Sequence, residues 1–181
     1  MKILITIFSC FLFVAISNGQ ERYLTKNGAI TFYSKAPVED ITADNNQVLS
    51  IIDASSGKMA ISILIKSFMF KKALMQEHFN ENYLESDKFP KATFKGSILN
   101  FDAIKETATK AQVKGVLTIH GVSKEITIDG DFTKTKEAIL VDGNFIIEVD
   151  DFGIEIPAVV DKNINKKIKV SFNFNHKPYN K

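Results

Sequence analysis

The chain has 181 residues, 45% of them hydrophobic, with 23 Lys and Arg against 21 Asp and Glu. That length suits one domain with a substantial core, and charges so evenly balanced and interleaved exclude the concentrated basic surface of a nucleic-acid binder. The single cysteine is Cys10, so the chain beyond it can build neither a disulfide nor a thiolate metal site.

In chain order, one lysine precedes a predominantly apolar run from Ile3 to Ile16, interrupted by Thr6 and Ser9 and followed by the small polar group Ser17, Asn18 and Gly19. The run is shorter than a bilayer span, and small residues suit signal peptidase, so residues 1–19 are expected to be a signal peptide cut near Gly19 or Gln20. Acylation at Cys10 fits less well, because Ile7, Phe8 and Ser9 make a poor lipobox and the apolar run continues past the cysteine. Residues 20–181 then form a single exported domain, periplasmic or secreted, whose mature chain lacks a thiol.

Beyond Glu21 the apolar residues recur mostly at every second position. Ile61, Ile63 and Ile65 alternate with Ser62, Leu64 and Lys66, and Val113, Gly115, Leu117 and Ile119 with Lys114, Val116 and Thr118. The same phase runs through Ile126 to Phe132 and through Ile168 to Phe174. A period of two in β-branched and aromatic residues predicts strands with one buried face. Asn27-Gly28 predicts a hairpin turn, as do Ser55-Ser56-Gly57 and His120-Gly121. Asp142-Gly143 is read inside one long strand, since the alternation from Ile139 to Val149 passes through it unbroken. About eight strands result.

The stretch from Lys71 to Asp87 departs from this pattern. Leu74, Met75, His78, Phe79 and Asn82 fall three and four residues apart, with Glu77, Glu81 and Glu85 on a neighbouring face, which predicts a short helix ended before Pro90. Its apolar residues are expected inward and its glutamates in water. Many short antiparallel strands with one helical insertion indicate an all-β barrel or sandwich.

Candidate chemistry is sparse. There is no Gly-x-Ser-x-Gly elbow, and His78, His120 and His176 are far apart without ligand spacing. Asp150 and Asp151, adjacent at a strand end, suit a turn better than an acid pair. No catalytic residue, metal or cofactor is therefore expected. The rival enzyme reading needs His78, His120 or Glu81 to converge in a pocket. Gly96, Gly115, Gly130 and Gly143 fall on the apolar phase, where a missing side chain either relieves a barrel bend or leaves interior space.

Two stretches carry a family resemblance. "KFPKATFKGSI" and "VKGVLTIHGVSKEITIDGDF" resemble the YceI-like family, with its Pro-x-hydrophobic-x-Phe strand and Gly-x-Leu-Thr-hydrophobic-x-Gly-Val-x-Lys hairpin. The matching positions are Pro90, Ala92, Phe94, Gly115, Leu117, Thr118, Gly121, Val122 and Lys124. "DFGIEIP", Asp151 to Pro157, is similar to a later family segment. His78 and Phe79 fit the family's His-Leu, but Met75 and Gln76 stand where a charged Arg-Asp pair is common, and Asp150 where an arginine is usual.

The resemblance implies an antiparallel, eight-stranded, lipocalin-like barrel with a short helical insertion. It implies export to the periplasm, no catalytic apparatus, and an interior that binds polyisoprenoid chains such as those of quinones or polyprenyl phosphates. On this reading the protein is a lipid-binding carrier of a long apolar molecule: a polyisoprenoid, quinone or similar lipid. The residues expected to line its interior are Phe32, Ile61, Ile63, Phe94, Ile98, Val113, Leu117, Phe132, Phe145, Ile147, Phe172 and Phe174. An envelope stress or interaction module with a filled barrel is the alternative, and monomer and homodimer both stay open.

Overall fold

A computed structural model describes residues 21–35, 40–156 and 165–179. The expected signal segment, residues 1–19, and Pro157 of the last family-like motif lie outside these described residues. Eight long strands, β1 (Arg22–Ser34), β2 (Ile41–Asp53), β3 (Lys58–Leu64), β5 (Lys91–Ile98), β6 (Thr109–Ile119), β7 (Val122–Lys134), β8 (Ile139–Glu148) and β9 (Lys167–Tyr179), pair antiparallel. Each long strand pairs with the next in the chain, and β9 returns to β1, which also pairs with β2. This is an up-and-down barrel, and closure removes the sheet edges that would otherwise template aggregation. A two-residue strand, β4 (Met69–Phe70), adds to β2 beside Ala43 and Asp44.

Alternation sets which side chains enter the barrel. Along β5 and β6, Ala92, Phe94, Ile98, Val113 and Leu117 are buried while Lys91, Lys95 and Lys114 are exposed. Phe94 pairs with Leu117, and Ile61 with Phe94, so the inward phases of β3, β5 and β6 lie side by side.

Turn chemistry explains most of the connections. His120 (φ 50°) and Gly121 (φ 76°) both take the left-handed conformation of a two-residue hairpin between β6 and β7. Asn27-Gly28 does not make the predicted hairpin. It lies inside β1, where the pairing with β2 shifts on either side of Gly28, a β-bulge. Glycine is required there by close approach: a Cβ on Gly28 would lie 2.5 Å from Phe174 Cδ1. Asp142-Gly143 does lie within one strand, although Val149 leaves it for a 3-10 turn over Val149–Phe152.

The barrel ends differ. At the end where β6 begins and β7 finishes, Ile52, Ile98, Phe101, Ile104, Phe132 and Ile139 are buried and fill the interior. His176 is buried with them and wholly inaccessible. Its Nδ1 lies 3.0 Å from the Ile139 carbonyl, which can only accept, so that nitrogen carries the proton and Nε2 accepts from the Ser50 hydroxyl at 2.8 Å. Burial disfavours the charged ring and lowers its pKa from 6.5 to about 4.

The other end carries the helical insertion: α1 (Ala73–His78), continued by a π-helical turn, Phe79–Tyr83. Two expectations for it are corrected. Leu74 points outward, 62% exposed, because inward positions are taken by Met75 and Phe79. Glu85 leaves the glutamate face: at φ 41° it has left the helix and binds His120 Nε2 through Oε2 at 2.7 Å.

Candidate functional site

The interior between the filled end and the helical insertion is open, with a cavity of about 480 Å³. Its wall is built by strand periodicity: Phe32 from β1, Ile61 and Ile63 from β3, Phe94 from β5, Val113 and Leu117 from β6, Phe145 and Ile147 from β8, Phe172 and Phe174 from β9. These are ten of the twelve residues expected to line the interior. Ile98 and Phe132 do not line the cavity. Their inward phase holds, but both lie toward the closed end, where Phe101 and Ile104 of the loop after β5 pack into the interior.

The glycines on the apolar phase do not open this space. Gly96 and Gly115 face each other across the β5–β6 ladder, and Phe94 Cζ stands where a Cβ on either would come within 2.7 Å. Gly130 and Gly143 are likewise paired, with the rings of Phe132 and Phe172 over them. Each pair seats a large ring against backbone, which is how the wall accommodates several phenylalanines on adjacent strands.

At the mouth the insertion contributes a second set of residues that alternation could not reveal. Phe68, Phe70 and Phe79 surround Phe32, with centroid separations to it of 5.4, 5.5 and 5.3 Å. Such ring spacings fall in the favourable aromatic range. Met75, Tyr83 and Leu84 complete this lip, and Ile154 and Ile156 of the "DFGIEIP" segment also reach the cavity. The π-helical hydrogen bond from Leu84 N–H to the Phe79 carbonyl, 2.9 Å, keeps Tyr83 and Leu84 at the cavity wall. The three- and four-residue spacing of Met75 and Phe79 was the available signal; Phe68, extended just after the 3-10 turn Ile65–Ser67, and Phe70, in a two-residue strand, had none.

Polar groups on this wall are few. Among the lining residues only Ser34, His78 and Tyr83 carry a side-chain oxygen or nitrogen, and none is an acid, lysine or arginine. Burial raises the Tyr83 phenol pKa above its ordinary value. The three histidines are dispersed: His78 stands at the mouth, His176 in the closed end, and His120 pairs with Glu85 and packs edge-on to Phe89 at 4.6 Å. Neither His120 nor Glu81 lines the cavity, so the convergence required by the enzyme reading is not made. Among the described residues no three His, Asp or Glu are grouped to hold a metal ion.

Residues of the family-like motifs hold the wall together. Lys124 of the hairpin reaches Asp151 of "DFGIEIP" at 2.6 Å, joining the start of β7 to the turn after β8. Both are about half exposed, so the link orients more than it stabilises. Asp150 binds Lys166 at 3.0 Å. Both carboxylates are thus engaged with cations.

A closed up-and-down barrel whose interior is filled at one end and apolar and open at the other defines the lipocalin-like binding barrels. The sequence profile of the YceI-like domain matches residues 25–176, and the chain belongs to that family. Its fold is similar to that of a polyisoprenoid binding domain from Saccharophagus degradans implicated in plant cell wall breakdown, with TM-score 0.75 and 16% identity over 87% of this chain and 98% of that one. It is also similar to BcnA of Burkholderia cenocepacia, with TM-score 0.69 and 17% identity over 82% and 95% of the two chains. The YceI protein of Campylobacter jejuni aligns with TM-score 0.54 and 20% identity over 82% and 85%. No curated protein sequence matches the chain. No helix among the described residues is long and apolar enough to cross a membrane.

Proposed function

We propose that this protein binds one long apolar, isoprenoid-type molecule in its barrel and carries or sequesters it outside the cytoplasm, without catalysing a reaction. The observation that carries this reading is the cavity of about 480 Å³ with an almost wholly apolar wall. That volume falls within the usual range for small-molecule sites. Each CH2 moved from water into such a wall gains about 0.8 kcal/mol, so a dozen buried carbons outweigh the cost of ordering a flexible chain. The Saccharophagus degradans domain, described as polyisoprenoid binding, supports an isoprenoid ligand. The apolar run Ile3 to Ile16 with Ser17 and Gly19 after it supports export.

The filled-barrel alternative has no comparable support, because the open volume lies where it would require side chains. Titration of the purified protein with a fluorescent polyene tests the proposal. Saturable binding at one site per chain, displaced by an unlabelled isoprenoid, is expected. A polyene signal that neither saturates nor is displaced would contradict it.

A further inference from the structure

We propose that the barrel has a second opening beside its mouth, a seam between β7 and β8 through which an apolar ligand passes in and out of the cavity, held shut by the ion pair of Lys124 with Asp151. This rests on the carrier reading and deepens it, from what the cavity holds to how a molecule reaches it. The β7–β8 ladder runs only from Lys134 with Ile139 to Gly130 with Gly143. Beyond those glycines, residues 122–129 and 144–148 are not paired with each other, although β7 stays paired with β6 as far as Val122 and β8 with β9 as far as Glu148. Opposed glycines in mid-sheet let two strands bend apart. The five residues from Asn144 to Glu148 make the seam about 17 Å long.

The cavity reaches this seam from inside. Ile128 on one margin and Phe145 and Ile147 on the other line it. These three are half-buried, whereas Phe132 and Val141, on the same phases where the ladder is intact, are fully buried. Outside, Ile146 on the β8 margin is 65% exposed and gives an approaching apolar molecule a first contact. Opening a paired wall would break ladder hydrogen bonds and leave backbone groups without partners. Across the seam none has to be broken. Glu125 and Glu148, on its two margins, pair away from it with Lys114 and Lys167 of their own neighbouring strands. Lys124, on the inward phase opposite Leu117, instead reaches across to Asp151 at 2.6 Å. A pair so exposed to water is a weak closure, one that opens and re-forms readily.

All-trans-retinol, a fluorescent polyene, is the probe, with its uptake and release followed by stopped flow. Thr127→Cys with Ile146→Cys puts two exposed, outward-facing thiols on opposite margins of a chain whose own cysteine is Cys10, and a short bismaleimide then ties the seam. The tied protein is expected to take up and release retinol at least about twofold more slowly, at nearly unchanged affinity. The same tie between Lys95→Cys and Val116→Cys, a paired outward position of β5 and β6, should leave both rates alone. Lys124→Glu should speed both by about two- to fivefold, the loss of one half-exposed ion pair. Adding Asp151→Lys should restore the parent rates, a rescue that a packing defect would not give. Rates unmoved by the seam tie or by Lys124→Glu, or slowed equally by the β5–β6 tie, would overturn the seam while leaving the carrier reading intact. Absence of saturable retinol binding in the parent protein would overturn the carrier reading and this inference with it.

Discussion

Leu117 is the residue on which an open cavity and a packed core give opposite outcomes. It is buried in mid-strand, paired with Phe94 and Lys124, and held in register by the hairpin at His120-Gly121. In a filled core Leu117→Trp would cost about 1 to 3 kcal/mol through overpacking. Against the cavity the indole projects into open volume instead. The variant is expected to keep its melting temperature within a few degrees and lose polyene binding; a large fall in melting temperature would indicate a packed interior. His176 supplies a second residue-scale outcome. Its folded pKa, about 4, lies below the ordinary 6.5, so the unfolded chain binds more protons between those values. Its contribution is therefore complete above pH 6.5, is lost as pH falls toward 4, and amounts to on the order of 3 kcal/mol. Denaturant titrations from pH 7 to 4 should show a steeper loss of stability in the parent than in His176→Gln. Parallel curves would mean that the ring is not held neutral.

At the scale of single elements, the β6–β7 hairpin is the most demanding part of the barrel. Gly121 needs its left-handed φ of 76°, and a Cβ there would also meet Phe89 Cε1 at 2.6 Å. Gly121→Ala is expected to destabilise the protein by about 1 to 3 kcal/mol, read as a lower denaturation midpoint, with unchanged stability as the contrary result. The insertion is held differently, by rings: Phe79 lies 5.0 to 5.6 Å from Phe32, Phe68 and Phe70. Phe79→Ala should widen the mouth and speed polyene release in stopped-flow displacement, and an unchanged rate would remove the lip from the ligand's path. The sequence shows the hairpin and hides much of the lip. Where a strand has one wet and one buried face, alternation displays register, so Phe94, Leu117 and Phe172 can be placed by counting alone. Asn27-Gly28 shows the limit of local signals, since its glycine answers to Phe174, far away in the chain. Ile98 and Phe132 show another: alternation tells which face a residue takes but not how far along the barrel the filling extends. Glu85 left its expected helix face because its partner, His120, is brought near only by the closed fold.

Taken whole, the molecule divides its work between its ends. The closed end uses Ile52, Ile98, Phe132 and Ile139 to build the core, and His176 sits neutral among them. That packing frees the opposite half from carrying the fold, and there the barrel keeps an apolar volume under a lip of four phenylalanines. The same division explains why little distinctive chemistry is visible in the sequence: tail binding needs buried apolar surface more than particular reactive groups. Native mass spectrometry of the full chain, purified without detergent from its own host and compared with the same sample after organic extraction, tests the central claim most directly. The account predicts one apolar molecule per chain, removed by extraction and identifiable as an isoprenoid in the extract. A bare polypeptide mass in both samples, with no uptake of added isoprenoid, would contradict it.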